Sequence, residues 1–163
     1  MPLTAPQMTT LRNDILADPA LNTLPQGNNS ALTIANAYSA DVAAWIVWRS
    51  NVTQDELGNA WNGTDIDGMS SLNMQRLQLL LASSSSGVFD MRRTDRRAGF
   101  ENPFGANVNG ASRVAMRANW KRTGTRLEKL FATGTGTDAS PAITTVEGVV
   151  NYHDINLAMG WPE

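Results

Sequence analysis

The sequence predicts a mainly α fold: a helical bundle with one long basic helix and a small β-hairpin or strand near the C-terminus. Three observations carry that expectation. Several short segments place apolar residues at helical spacing behind a Ser or Thr that can cap a helix. The stretch Ser112 to Phe131 gathers Met116, Trp120, Leu127 and Leu130 within a quarter of the helical wheel. Ile143 to Tyr152 (ITTVEGVVNY) is rich in β-branched residues and is the best candidate strand. With 163 residues, 42% of them hydrophobic, the chain suits a single domain over 1–163, with 133–163 as a C-terminal extension or docking arm.

In chain order, Thr9 or Thr10 caps a first helix carrying Leu11, Ile15 and Leu16, which Asp18-Pro19 stops. Leu24 to Asn29 is a turn, and Ser30 caps a second helix with Leu32, Ile34, Ala35 and Tyr38. Ala43 to Val52 (AAWIVWRSNV) lacks clean alternation and reads as a buried strand or an extended connector. Thr53-Gln-Asp-Glu56 is a capping box, opening a short helix to about Trp61. Asn62-Gly63 and Asp67-Gly68 are turns, and Ser70 or Ser71 opens a helix with Met74, Leu77, Leu80 and Leu81. Ser83 to Gly87 is a surface loop, and Thr94 begins a short basic helix over Asp95 to Phe100. The long helix follows the loop Asn102 to Gly110, with Gly124 weakening it by about 1 kcal/mol relative to alanine. Gly134 to Pro141 is a flexible connector. A hairpin about Glu147-Gly148 and a last helical turn or two over His153 to Met159, ended by Gly160, complete the chain. No internal repeat is visible.

Composition removes several classes of function. The longest apolar run, Val42 to Trp48, is seven residues, short of the roughly 20 that cross a bilayer. Met1 to Asn13 lacks the basic and apolar regions of a signal peptide. With no cysteine there is no disulfide and no thiol nucleophile, which suits a reducing cytosol. One histidine leaves little for zinc or imidazole chemistry.

Charge is unevenly spread. Residues 1–91 carry net −5, residues 92–129 net +7 and residues 130–163 net −4. Eleven of the 13 basic residues are arginine, the side chain suited to bidentate contact with carboxylate or phosphate. On the long helix Arg113, Arg117 and Lys121 form one ridge, and Arg122, Arg126 and Lys129 lie opposite. Arg92, Arg93, Arg96 and Arg97 extend the band. These ten are candidate contacts to another subunit or to DNA in a channel. The band reads equally as internal compensation for acids of its own fold.

Apparent motifs weaken on inspection. Gly105 to Ser112 has P-loop glycine spacing, but Ala111 stands where lysine must reach the phosphates. Asp65-Ile-Asp67-Gly68 opens like a calcium loop but lacks the closing glutamate. Gly134-Thr-Gly136 lacks the third glycine of a dinucleotide fingerprint. His153-Asp154 has no nucleophile in context and reads as a helix start. Asn28-Asn-Ser30, Asn51-Val-Thr53 and Asn62-Gly-Thr64 are glycosylation sequons in form only. The chain is therefore expected to be no enzyme, with no catalytic residue, metal ligand or cofactor. Of five tryptophans, Trp45, Trp48 and Trp120 are expected in the core and Trp161 in a contact. Val149, Tyr152 and Trp161 are the candidate docking residues.

Five phrases together carry a family resemblance: Leu11 to Leu21 (LRNDILADPAL), Ile46 to Val52 (IVWRSNV), Asp95 to Gly105 (DRRAGFENPFG), Lys121 to Pro141 (KRTGTRLEKLFATGTGTDASP) and Val146 to Ala158 (VEGVVNYHDINLA). The pattern resembles small virion structural proteins of tailed bacteriophages and prophages, and in size and layout the head-to-tail connector (adaptor, or neck) type. The resemblance implies a homo-oligomeric ring, typically of twelve copies, bound to the portal protein and to other neck or tail proteins. It implies a place in the neck of the virion, assembly in the host cytoplasm, non-specific contact with packaged double-stranded DNA, and no membrane. Capsid decoration, tail termination and non-specific DNA binding are the alternatives.

Overall fold

The computed structural model describes residues 3–105 and 110–162. About 52% of the chain is helical, and the fold is mainly α. The elements in order are α1 (Ala5–Ala17), α2 (Asn28–Ser39), β1 (Asp41–Trp48), β2 (Val52–Thr53), α3 (Gln54–Asn59), α4 (Gly63–Asp67), α5 (Ser71–Ala82) and β3 (Val88–Phe89). They continue with α6 (Thr94–Glu101), a 3-10 turn (Asn102–Phe104), α7 (Ala111–Asn119), β4 (Lys121–Thr125), α8 (Arg126–Leu130), β5 (Ala132–Thr133), β6 (Ile143–Thr144) and α9 (Tyr152–Met159). The strands form three two-stranded sheets, β1–β4, β2–β3 and β5–β6. Among the described residues no helix is long and apolar enough to cross a membrane.

The chain divides into two compact units: unit 1 is Met1–Ile46 with Thr123–Glu163, and unit 2 is Val47–Arg122. The chain leaves unit 1 within β1 and returns within β4.

Unit 1 is built on α1, α2, α8 and α9. Leu11 and Ile15 of α1, Ile34 and Tyr38 of α2, Leu127 of α8 and Ile155 of α9 are buried in one core, joined by Val146 and Val150 from the loop before α9. Each fully buried aliphatic side chain contributes about 1.5–3 kcal/mol. α1 begins earlier than its threonines suggest. Thr4 is the N-cap and its N–H donates to Gln7 Oε1 at 2.8 Å, while the Thr9 and Thr10 hydroxyls donate back to the carbonyls of Ala5 and Pro6. α2 likewise starts at Asn28, ahead of Ser30, which is buried. β1 loses alternation because Ala44 has φ +58°, a left-handed conformation that breaks the pleat, and burial resumes at Trp45 and Val47.

The connector 134–141 is pinned rather than loose. The Ile46 N–H donates to the Gly136 carbonyl at 2.7 Å, and the Ala142 N–H donates to that of Ile46 at 2.9 Å. Gly136, at φ +69°, lies so close to the Trp45 indole that a Cβ would sit 1.9 Å from Nε1. The C-terminal β element is also placed differently from the sequence expectation. β5 and β6 pair antiparallel, Ala132 opposite Thr144 and Thr133 opposite Ile143, so the hairpin spans the Gly/Thr loop. No strand surrounds Glu147-Gly148; there Val146 and Val150 turn into the core instead. α9 follows the sequence, with Asn151 Oδ1 accepting the Asp154 N–H at 3.0 Å and Gly160 in the left-handed conformation behind it.

Unit 2 gathers Val52, Leu57, Leu77, Phe89, Met91, Phe100, Met116 and Trp120 into a second core, with Phe89 and Phe100 edge to face at 5.1 Å. α3 has the expected capping box, Glu56 N–H to Thr53 Oγ1 at 3.2 Å. The Ser70 cap opens α5. The turn expected at Asn62-Gly63 is a short helix, α4, because Asn62 Oδ1 accepts the Thr64 N–H at 3.0 Å.

The long basic helix over Ser112 to Phe131 is corrected to helix, strand and helix. α7 stops at Asn119, β4 runs extended through Gly124 and two threonines, and α8 restarts at Arg126. Thr125 drives the restart: its Oγ1 accepts the Glu128 N–H at 3.3 Å while its own N–H donates to Glu128 Oε2 at 2.9 Å.

Candidate functional site

With the helix divided, its two basic ridges do not exist as continuous rows. Arg113 and Arg117 remain one turn apart on α7, while Lys121 and Arg122 are half-buried on β4. Arg126 and Lys129 belong to α8 in unit 1.

In unit 2 the α7 arginines converge on one carboxylate at the end of α6. Arg117 Nε donates to Glu101 Oε1 at 2.6 Å and its Nη2 to Oε2 at 2.8 Å. Arg113, itself buried, donates Nη2 to Glu101 Oε2 at 2.8 Å and Nη1 to the Gly105 carbonyl at 2.7 Å. Hydrogen bonds from Arg117, then Arg113, hold the Glu101 carboxyl below its usual 4.5 against the opposing effect of burial. Asp90 takes Arg92 bidentately, at 2.9 and 2.8 Å, and the exposed Arg93 pairs with Asp95 at 2.6 Å. Arg96 Nη1 donates to Ser83 Oγ at 2.7 Å. Arg97 lies 4.0 Å over the Trp48 ring and donates to the Met91 carbonyl and the Thr94 hydroxyl. Outside the sequence band, Arg49 takes Glu56 at 2.7 Å and the Asn119 carbonyl at 2.9 Å, tying α3 to the end of α7.

In unit 1, Arg126 donates to Asp18 at 2.7 Å and Asp14 at 3.1 Å, with its guanidinium 4.5 Å over the Tyr38 ring. The Tyr38 hydroxyl donates to Asp14. Burial, then that donation, raises the phenol well above its usual value, while the hydrogen bond from Arg126 lowers the Asp18 carboxyl. Lys129 is exposed beside this cluster, in a cavity of about 540 Å³ that Asp14, Val42, Arg126 and Leu130 also line.

Of the ten residues of the basic band, Arg92, Arg93, Arg113, Arg117 and Arg126 thus have carboxylate partners inside their own unit. The docking residues are dispersed. Val149 is 70% exposed in the loop before α9, Tyr152 is half-buried with its ring 4.0 Å from that of His153, and Trp161 packs half-buried against the unit 1 core.

The motif-like stretches have local explanations. Asp65 accepts the Ser112 N–H at 2.8 Å, and Ser112 Oγ accepts the Asn62 N–H at 2.8 Å, so both serve the start of α7. That donated N–H holds the Asp65 carboxyl below its usual range. Residues 106–109 of the P-loop-like stretch lie outside the described residues. Among the described residues no three His, Cys, Asp or Glu side chains gather as metal ligands would.

A feature that the sequence reading missed is apolar. Leu3, Met8 and Leu16 at the start of the chain and Leu157 and Ala158 of α9 line a groove of about 660 Å³ together with Arg12. Leu157, on the outer side of α9, is 72% exposed and Leu16 is 46% exposed. The sequence signal was there in principle, since Leu157 stands off the buried face set by Ile155 and Ala158. No family model, no curated protein and no solved structure matches the chain.

Proposed function

We propose that the chain is a non-enzymatic structural protein of a tailed-phage virion, of the head-to-tail connector type, acting through contacts between copies and with the portal. The observation that carries this reading is the charge split between the two compact units. Unit 1 holds three basic and eight acidic residues, net −5, and unit 2 holds ten basic and seven acidic residues, net +3. Successive copies meeting acidic unit to basic unit make a heterologous contact, the kind that closes into a ring. Electrostatic complementarity of this sort sets orientation and association rate more than affinity. Five arginines are held by carboxylates of their own unit, and guanidinium N–H groups spent on Asp or Glu are withdrawn from phosphates, which weighs against duplex binding. A helical bundle around a channel belongs to the same proposal.

The test is the position of the tagged chain in purified virions, by immunogold labelling and by mass of the detached neck. Label confined to the portal vertex, with a ring of about 200 kDa for twelve copies of 17.6 kDa, supports the proposal. Label over the shell points to capsid decoration, label at the tail end to tail termination, and virions without the chain refute a structural role.

A further inference from the structure

We propose that the α1/α9 face of unit 1 is self-complementary, and that two copies of the chain associate through it about a two-fold axis. In that contact Arg12 of each copy meets Asp154 of the other, around a centre formed by Leu16 and Leu157.

The groove is apolar but carries one cation. Arg12 is exposed, lies among the groove-lining residues, and has no ion pair among the described residues. At about 100° per residue it falls in the middle of the α1 stripe formed by Ala5, Met8, Thr9 and Leu16. The same geometry puts Asp154 one turn before Leu157 and Ala158 and angularly between them, so it borders the groove those two residues line without itself lining it. Asp154 spends Oδ2 on the Asn151 N–H, which fixes its side chain at the helix start without neutralising it.

One surface therefore offers a cation on one helix, an anion on the other, and two exposed leucines. A patch with both charges is complementary to a copy of itself, which is the condition for an isologous contact. The exposed Arg12 guanidinium, with no ion pair among the described residues, is available to a carboxylate of a second copy. The second copy supplies it, and covers Leu157 in the same step. This contact is separate from the ring contact proposed above, so its failure leaves the virion location untouched.

Sedimentation velocity and native mass spectrometry of the full chain across a concentration series test the proposal. Ionic strength is set at about 0.15 M, which screens the like net charges of the two copies beyond roughly 8 Å. The expected result is a shift with concentration to about 35 kDa, two copies of 17.6 kDa. Leu157→Asp is expected to weaken association at least tenfold with an unchanged circular dichroism melt, because Leu157 is largely exposed. Arg12→Glu and Asp154→Lys are each expected to be monomeric, and mixing them to restore the two-copy species, since each new charge then faces its opposite. Leu72→Asp/Leu79→Asp, which alters the exposed leucines of α5, is expected to leave association intact. If Asp154→Lys does not fold, Arg12→Glu and Leu157→Asp decide the matter. A wild-type chain that stays monomeric overturns the proposal. So does a Leu157→Asp variant that associates normally, or a mixture of the two charge variants that stays monomeric.

Discussion

Replacing Glu101 by glutamine removes the charge on which α6 and α7 are joined, and its cost follows from the geometry. The carboxylate receives three guanidinium N–H groups at 2.6–2.8 Å, from Arg113 and Arg117. The side chains of Glu101 and Arg113 are 18% and 10% exposed, so both charges are largely out of water. Deleting one partner of a buried ion pair costs about 3–5 kcal/mol, because the other is left uncompensated. Arg117, at 36% exposure, recovers part of that from solvent, and the glutamine carbonyl keeps one acceptor. The expected loss is therefore about 2–3 kcal/mol in urea denaturation at pH 7. The pH dependence has a definite sign. The folded-state value of Glu101 is lowered, so its contribution is present above the unfolded carboxylate value of 4.5 and disappears as pH falls through the folded value. Glu101→Gln should flatten the acid limb of the stability profile below that value. A double-mutant cycle with Arg117→Met isolates the pair, with an expected coupling of about 1 kcal/mol or more. Additive single effects, or a Glu101→Gln variant within about 0.5 kcal/mol of wild type, would refute the reasoning.

Gly136→Ala should destabilise the chain by about 2–3 kcal/mol, since the backbone there is left-handed and the added methyl meets the Trp45 ring; a denaturation midpoint equal to wild type would contradict the close approach. Thr125→Ala removes the acceptor that restarts the helix at α8 and should cost about 1 kcal/mol. Its signature is faster amide exchange at Leu127 and Glu128, and unchanged exchange there would argue for a continuous helix instead.

The helices with a strong cap were legible in the sequence. Thr53 with Glu56, Ser70 with Asn73, and Gly160 behind Met159 each mark a boundary that local chemistry enforces. The segment 112–131 misled because its apolar residues share one side of an ideal helix while serving different cores. Met116 and Trp120 are buried in unit 2 and Leu127 in unit 1. Wheel periodicity cannot register that the direction is reset by five extended residues between them. The Thr125–Glu128 capping box was the available sign of the break. Pairing of the arginines was beyond local reading, because Arg117 finds Glu101 across 16 positions and Arg126 finds Asp14 across 112. Their type signalled carboxylate contact, but only the fold names the carboxylates.

The discontinuity of unit 1 also sets a timetable for biosynthesis. Its N-terminal portion, with Met8, Leu11, Ile15 and Ile34, leaves the ribosome long before Leu127, Val146 and Ile155 exist to cover it. At roughly 5–20 residues per second, the gap between residues 46 and 127 lasts about 4–16 s. Unit 2 has no such delay, since its core is encoded in one uninterrupted stretch. During that interval α1 and α2 present their greasy sides to water. Slowed translation anywhere in 47–122 would lengthen the exposure and lower the yield of native chain without changing a single native contact.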